Sequence, residues 1–139
     1  MSDKKTWAQR LNDGKAHEVK PAPISIAGMK AGQLMLVPTA RMVNEFIQGI
    51  PRGRSMNAKE LRQAMATAQG AEVTCPITMG FHLRTVAEAT WEALANGTPI
   101  DRLTPVWRVL PPDSPTLEKV SFDSRFVCHQ RELEGLDAV

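Results

Sequence analysis

The sequence lacks tyrosine entirely, contains only two cysteines and has no hydrophobic run long enough to span a membrane. Cys75 and Cys128 have no framework spacing, which argues against a disulfide scaffold. The opening residues MSDKKTWAQRL do not contain the apolar core of a signal peptide. These absences predict a cytoplasmic protein without a membrane partner.

Side-chain patterns typical of catalysis or metal binding are also missing from the sequence. The carboxylates are scattered, so none forms a pair suited to acid–base chemistry. Cys75 precedes a predicted helix start, where the helix dipole can lower a thiol pKa, and His82 follows in the same segment. No third group stands at ligand spacing, and the adjacent Cys128 and His129 would point about 100° apart on a helix. We therefore expect no cofactor, no metal and structural cysteines, with a Cys75-based activity as the lesser alternative.

Charge is distributed unevenly along the chain, although the net charge is only +2. Residues 1–54 hold nine Lys/Arg against four Asp/Glu, whereas residues 55–139 hold eight against eleven. A strong non-specific nucleic-acid binder usually carries a larger positive charge. The charge therefore permits contact with DNA but does not by itself predict it.

The chain divides into an N-terminal arm, residues 1–38, and a domain over residues 39–139. The arm is expected to hold a short amphipathic helix at 1–13 and two extended segments at 24–26 and 34–36, separated by a turn. We expect the arm to pack across the domain as a structural strap. Alternatively, its lysines contact phosphate.

Apolar spacing and capping signals predict three further helices besides a central one. Thr39 is the expected N-cap of the first, and Gly49 ends it. The second begins with Asn57-Ala-Lys-Glu, a near-match to a capping box, and ends at Gly70. The last helix is expected at 123–134, after a PPDSP turn that suits the tip of a wing.

The central stretch, residues 75–110, combines the longest helix pattern with a predicted buried extended segment. Apolar residues recur at three- and four-residue spacing over 77–95, with Thr78 as the expected N-cap. The side chains expected on an accessible face near the helix start are His82, Arg84 and Thr85. A recognition helix holds its contacts at such a place. The extended segment is predicted over 106–110.

Two blocks in this stretch, RTVAEA and TPVWRV, resemble the DNA-binding domain of alkylguanine-DNA alkyltransferases. That family carries an RAVGGA-like helix segment followed by a PCHRV active-site strand. The segments GRSMNAKELRQAM and FVCHQRELEG extend the resemblance from about Ala40 to Glu134. The resemblance implies a mainly helical, winged-helix-like domain with a helix-turn-helix and a small β element.

The resemblance also implies roles for single residues. Arg84 falls on the arginine that the family inserts into the duplex to hold the gap left by a flipped base. Arg108 matches the strand, whereas Val106 takes the place of the nucleophilic cysteine and Trp107 that of the histidine. Alkyl transfer by the family's mechanism then has no thiol. The chain is therefore similar to the non-catalytic alkyltransferase-like proteins.

The residues assigned to function on this basis form two groups. The DNA-binding group is Arg84, Thr85, His82, Arg52, Arg54 and Asn57. The remnant of the base pocket is Val106, Trp107 and Arg108, where Trp107 either lines the pocket or fills the space of the lost site. Ala58 stands where the family has the tyrosine that helps rotate the nucleotide out of the duplex. This chain therefore lacks one of the residues that the family uses for base flipping.

The expected function is recognition of damaged bases in double-stranded DNA during DNA repair, with a repair protein as a second partner. The alternative is a protein-interaction or structural module that kept the fold and lost DNA binding. The family resemblance favours the first, whereas the modest charge and the absent tyrosine favour the second.

Overall fold

A computed structural model describes residues 6–137, which form a mainly helical protein with a small three-stranded sheet. The α-helices of these residues are α1 (Trp7–Leu11), α2 (Ala40–Gln48), α3 (Ala58–Ala68), α4 (Pro76–Ala95), α5 (Pro115–Lys119) and α6 (Arg125–Glu134). The strands are β1 (Glu18–Pro21), β2 (Leu34–Val37) and β3 (Val73–Thr74). Two 3₁₀ segments, Ile100–Arg102 and Val106–Val109, lie between α4 and α5. The mainly helical class with a small β element is confirmed.

Helix α4 is the element against which α1, α2 and α5 pack. Its buried side chains include Met79, Leu83, Val86 and Thr90, which are three or four residues apart and so lie on one face of the helix. Met79, Leu83 and Val86 belong to the main hydrophobic cluster, together with buried residues of α2, α3, α6 and the second 3₁₀ segment. This packing fixes which face of α4 points away from the core.

Side-chain caps begin α2 and α3 at the predicted residues. The Thr39 hydroxyl accepts a hydrogen bond from the Met42 N–H at 3.1 Å. Asn57 Oδ1 accepts from the Glu60 N–H at 2.8 Å, and Glu60 Oε1 accepts from the Asn57 N–H at 3.0 Å. The reciprocal pair is a capping box, which satisfies two N–H groups that the helix itself leaves without partners.

Helix α4 begins differently from the prediction, because Cys75 and not Thr78 occupies the N-cap position. Pro76 is the first helical residue; its fixed φ suits that position, and it has no N–H to satisfy. Among the described residues, no side chain caps this helix start. Thr78 lies within the first turn and donates its hydroxyl hydrogen to Cys75 Sγ at 3.3 Å.

The sheet joins the N-terminal segment to the chain just before α4. Strand β1 pairs antiparallel with β2, and β2 pairs in parallel with β3. The predicted strand at 34–36 is confirmed, but 24–26 is not a strand, since Ile26 forms only an isolated bridge with Met29. The chain reverses at once there, with positive φ at Ala27 and Gly28. The exposed strand β1 lacks the apolar alternation that would have predicted it.

Two expectations about the second half of the chain are wrong. Residues 106–109 form a 3₁₀ segment and not an extended one, although Val106 and Val109 are fully buried. The PPDSP segment forms a turn that leads directly into α5 and not into a strand of a wing. The proline of α5 sits at its first turn, where it favours a helix as readily as a turn.

The predicted terminal helices are shorter in the structure. Helix α1 begins at Trp7, and residues 1–5 of the prediction lie outside the described part of the chain. Helix α6 begins at Arg125, two residues later than predicted. Asp123 instead accepts hydrogen bonds from the Arg125 N–H and side chain, just before the helix.

Candidate functional site

The face of α4 that points away from the core carries Ile77, Phe81 and Arg84. The spacings of four and three residues place these side chains next to one another on the helix surface. Ile77 is 56% exposed and Phe81 is 75% exposed, while the Arg84 side chain is 41% exposed. The sequence analysis predicted Arg84 on this face but not Ile77 and Phe81. Their helical spacing from Arg84 would have indicated that they share its face.

Arg84 lies between helix α1 and the buried Glu88. Its Nε lies 3.4 Å from Glu88 Oε2, and its guanidinium carbon lies 5.6 Å from the centre of the Trp7 ring. Arg10 lies over the same ring at 4.6 Å. Helix α1 therefore brings a second cation to the same indole ring as Arg84.

Glu88 does not depend on Arg84 for its hydrogen bonds. Its carboxylate is buried and accepts from the Ser121 N–H at 2.9 Å and from the Ser121 hydroxyl. Arg84 is 41% exposed and reaches only one oxygen of that carboxylate, so most of its donors face away from Glu88. Arg84 therefore has donors left for a ligand.

Thr85 and His82 do not share the accessible face with Arg84. Thr85 is buried and donates its hydroxyl hydrogen to the Phe81 carbonyl at 3.1 Å, so its predicted exposure is wrong. Neighbouring residues on a helix point about 100° apart, so three residues within 82–85 cannot all face one side.

His82 lies on another side of α4, half-buried in a cleft of about 310 Å³ that Lys15 and Thr78 also line. Burial lowers the pKa of His82 below its ordinary value of 6.5, and the Pro38 carbonyl and the Asp13 carboxylate only partly oppose this. The imidazole is therefore mostly neutral at pH 7. A neutral ring does not supply the positive charge that a phosphate contact needs.

The basic turn, residues 51–54, and the N-cap of α3 hold the other three residues predicted to bind DNA, Arg52, Arg54 and Asn57. Arg52 donates from Nη2 to the Leu133 carbonyl at 3.3 Å, and its Nη1 lies 3.9 Å from Glu134. Arg54 is exposed and lines an open groove of about 400 Å³. Asn57 is exposed, but its side-chain oxygen already caps α3. Of these three residues, Arg54 is the most available for a ligand.

Glu134 at the end of α6 is the centre of a buried network that the sequence did not reveal. Its carboxylate accepts hydrogen bonds from Trp107 Nε1 at 2.7 Å, Arg108 Nε at 2.9 Å and the Gly53 N–H at 2.9 Å. Burial by itself raises the pKa of Glu134, but the hydrogen bonds from Arg108, Gly53 and Trp107 outweigh it and lower the pKa to about 2. The network joins the basic turn, the second 3₁₀ segment and α6.

The predicted pocket residues are held inside this network. Val106 is fully buried, and Arg108 also donates from Nη1 to the Ile50 carbonyl at 2.7 Å. Trp107 is only 4% exposed, at the floor of an open cleft of about 660 Å³, and its edge meets the Phe126 ring. A ring with so little exposed surface offers almost no face on which a base can stack. Trp107 therefore fills space in the core.

Arg131 anchors the same 3₁₀ segment from α6. It is buried, and its Nη1 donates to the Trp107 carbonyl at 2.6 Å. Its Nη2 donates to Ser55 Oγ at 3.1 Å and to Asp137 at 2.7 Å. Hydrogen bonds from Arg131 lower the pKa of Asp137. Arg131 and Glu134 of α6 thus hold the second 3₁₀ segment through its backbone and through its Trp107 and Arg108 side chains.

The two cysteines are free and half-buried. Among residues 6–137, no group of three or more His, Cys, Asp and Glu side chains is placed to hold a metal ion. In the same part of the chain, no helix is long and apolar enough to cross a membrane.

Comparisons with protein-family models, curated proteins and solved structures found no match to this chain. The resemblance of the sequence blocks to alkyltransferases therefore stays a prediction. Function has to be inferred from the side chains around α4 and Glu134.

Proposed function

We propose that this chain is a non-catalytic, alkyltransferase-like protein that binds double-stranded DNA through the exposed face of α4. In this interpretation α3 and α4 form the helix-turn-helix of a winged-helix-like domain, and α4 is the recognition helix. The observation that supports the proposal most strongly is Arg84, whose partner Glu88 is satisfied by Ser121 without it. Arg84 is thus a partly exposed arginine on which the hydrogen bonding of Glu88 does not depend.

The proposal includes no transferase chemistry, because Val106 stands where the resembled family has its nucleophile and is fully buried. We expect that incubation with duplex containing an alkylated guanine leaves the mass of the protein unchanged. A stable mass increase that maps to Cys75 would contradict this and support an enzymatic function.

The electrostatic part of the proposal predicts modest salt dependence. If Arg84, Arg52 and Arg54 act with a few other cations on about four phosphates, log K should fall with log salt at a slope of about −3 to −4. Fluorescence anisotropy with a labelled duplex over a range of salt concentrations measures this slope. Absence of binding at low salt would reject the DNA-binding function.

Two substitutions at Arg84 separate insertion into the duplex from simple attraction to phosphate. Arg84→Lys keeps the charge but loses the planar group that stacks, and Arg84→Ala loses both. If Arg84 inserts, both variants lose the preference for damaged over intact duplex while keeping much of their general affinity. If it only attracts phosphate, the lysine variant binds like the parent and the alanine variant loses about one unit of salt slope.

A protein-interaction module is the second candidate function, and exposed apolar residues favour it. Ile24 and Ile26 are exposed in the loop between β1 and β2, in addition to the apolar residues of α4. That loop lies beside the start of α4, because Met29 and Cys75 belong to one hydrophobic cluster. Double substitution of Ile24 and Ile26 by serine should leave DNA affinity unchanged if DNA is the ligand and should abolish capture of a protein partner if one exists.

A further inference from the structure

We infer, building on the DNA-binding function proposed above, that Phe81 is an apolar wedge that enters the base stack of duplex DNA beside Arg84. The preferred ligand is then a duplex in which stacking is locally weak, such as one with a mismatch or an abasic site. An alkyl group on guanine is not required for this recognition.

The exposure of Phe81 is not explained by the packing of the protein itself. At 75% it is the most exposed large hydrophobic side chain of residues 6–137. The aromatic contacts in this part of the chain join Trp91, Trp107, Phe122 and Phe126, and Phe81 takes no part in them. A phenyl ring left in water gains nothing from the hydrophobic effect until a partner covers it.

The helix segment that carries the ring is fixed by the core. Met79 and Leu83, on either side of Phe81 in the sequence, are buried on the opposite face of α4 and anchor this part of the helix. A wedge gains more when its backbone is already ordered, because a flexible segment would lose backbone conformational entropy on insertion. Phe81 therefore projects from a part of the fold that cannot yield easily.

Gly80 leaves an open strip of helix surface next to the wedge. Glycine in the interior of a helix is unfavourable compared with alanine. Among the described residues, nothing lies within 4 Å of the point where a Cβ at position 80 would be, so core packing does not require glycine there. A bare backbone allows close approach of a ligand, here the sugar–phosphate chain next to the opened base step.

The charges around Phe81 fit a polyanion. Arg84 lies one turn along the same face, and Arg10 lies beside it over the Trp7 ring. Glu88 and Glu92 balance these two charges formally, but their carboxylates are less exposed: the Glu88 side chain is 1% exposed against 41% for Arg84, and Glu92 is half-buried whereas Arg10 is exposed. This surface therefore presents more of its positive groups than of its negative ones to a ligand.

The same charges argue against a second copy of this chain as the occupant. In a twofold dimer the same patch lies on both sides of the interface, so four exposed or partly exposed arginines, Arg10 and Arg84 of each copy, would be brought together. Proteins that bind the minor groove use apolar wedges together with arginine to unstack a base step. Unstacking costs least where a base is mismatched or damaged, which is the source of the preference expected here.

The test compares the full-length parent with Phe81→Ala and with a matched control, Leu133→Ala, which removes another exposed apolar side chain. Anisotropy titrations use an intact duplex, the same duplex with one mismatch, and one with an abasic site. A 2-aminopurine next to the site reports unstacking through increased fluorescence. Urea unfolding of each variant checks that an exposed substitution leaves the fold intact.

We expect the parent and Leu133→Ala to prefer the mismatched and abasic duplexes by about tenfold, the size expected from stacking of one aromatic ring on a base. Phe81→Ala should lose this preference and the 2-aminopurine signal while keeping its affinity for intact duplex, since its charges are unchanged. Phe81→Trp should retain both, and Gly80→Leu, which obstructs the open strip, should lose both.

Three results would overturn the inference, and they differ in what else they reject. If the parent and Phe81→Ala prefer the mismatched and abasic duplexes over the intact one by the same factor, the wedge is rejected but the DNA-binding function is not. Failure of the parent to bind any duplex rejects the wedge and the proposed function together. Conversion of a parent dimer to a monomer by Phe81→Ala, seen in sedimentation, assigns the ring to self-association instead.

Discussion

This protein contains two arginine–glutamate ion pairs, Arg84–Glu88 and Arg108–Glu134, which differ in the exposure of the arginine and in the number of contacts it makes. In both pairs the glutamate, Glu88 or Glu134, is buried. Arg108 is 14% exposed and contacts both carboxylate oxygens of Glu134, at 2.9 and 3.2 Å from Nε and 3.0 Å from Nη2. Arg84 is 41% exposed and reaches one oxygen of Glu88 at 3.4 Å.

The difference shows which arginine is available to a ligand. The hydrogen bonds from Arg108 are the largest of the effects that lower the pKa of Glu134, ahead of those from Gly53 and Trp107. Glu88 receives two hydrogen bonds from Ser121 and a single contact from Arg84. Removing the cation from a buried carboxylate costs most where that cation supplies most of the hydrogen bonds. Arg108 is therefore fixed within the Glu134 network, and Arg84 is the arginine with donors left for the duplex that we propose as the ligand.

The largest expected effect is on the stability of Arg108→Ala. Removing one partner of a buried ion pair leaves an uncompensated charge, so the free energy of unfolding should fall by about 3–5 kcal/mol. The matched variant Arg84→Ala should lose less, because Arg84 is 41% exposed and Glu88 keeps its two hydrogen bonds from Ser121. Urea unfolding of both variants at pH 7 measures the two losses. Similar losses would show that the two pairs do not differ as described.

Acid should weaken the Glu134 pair by a comparable amount. The pKa of Glu134 in the folded protein is about 2, against an ordinary value of 4.5. Because the folded pKa is the lower one, the stabilisation is complete above pH 4.5 and is lost as the pH falls towards 2. The loss amounts to about 3 kcal/mol, at 1.36 kcal/mol per pKa unit.

The variant Glu134→Gln isolates this contribution, since glutamine does not titrate. Asp137, whose pKa is also lowered, titrates in both proteins and so cancels in the comparison. Urea unfolding at several pH values between 7 and 2 should give a steeper loss in the parent than in the variant. Parallel pH profiles would mean that Glu134 is not held by its network as described.

The smallest expected effect concerns the hydrogen bond from the Ser121 hydroxyl to Glu88. Ser121→Ala removes the hydroxyl that donates to Glu88, and hydrogen bonds to charged groups contribute about 2 kcal/mol. In that background Arg84 becomes more important to Glu88, so Arg84→Ala should cost more than it does in the parent. A double-mutant cycle by urea unfolding measures this coupling. Strict additivity would indicate that Ser121 does not release Arg84.

Helices were more predictable than the sheet because their signals are local. The caps at Thr39 and Asn57 act within three residues, and the apolar spacing of α4 repeats over its length. Strand β3 is two residues long and forms only because β2 lies beside it. A pairing between distant segments leaves little pattern in either one.

The candidate site was predictable only in part for the same reason. The position of Arg84 on a helix followed from the sequence, but its freedom depends on Ser121, which is 33 residues from Glu88. The Trp107 indole N–H reaches Glu134 across 27 residues, and the Gly53 N–H reaches it across 81. No local pattern connects these residues, so their network could not be anticipated.

The sequence by itself determined where most helices lie, that Val106 brings no thiol to its position and that the chain has no tyrosine. Spacing and residue type carry such information directly. Only the tertiary structure decided that Thr85 is buried and Phe81 is exposed, although both lie on one helix. The hydrophobic effect acts on whichever face of α4 the other helices cover, and that face is chosen by contacts between distant parts of the chain.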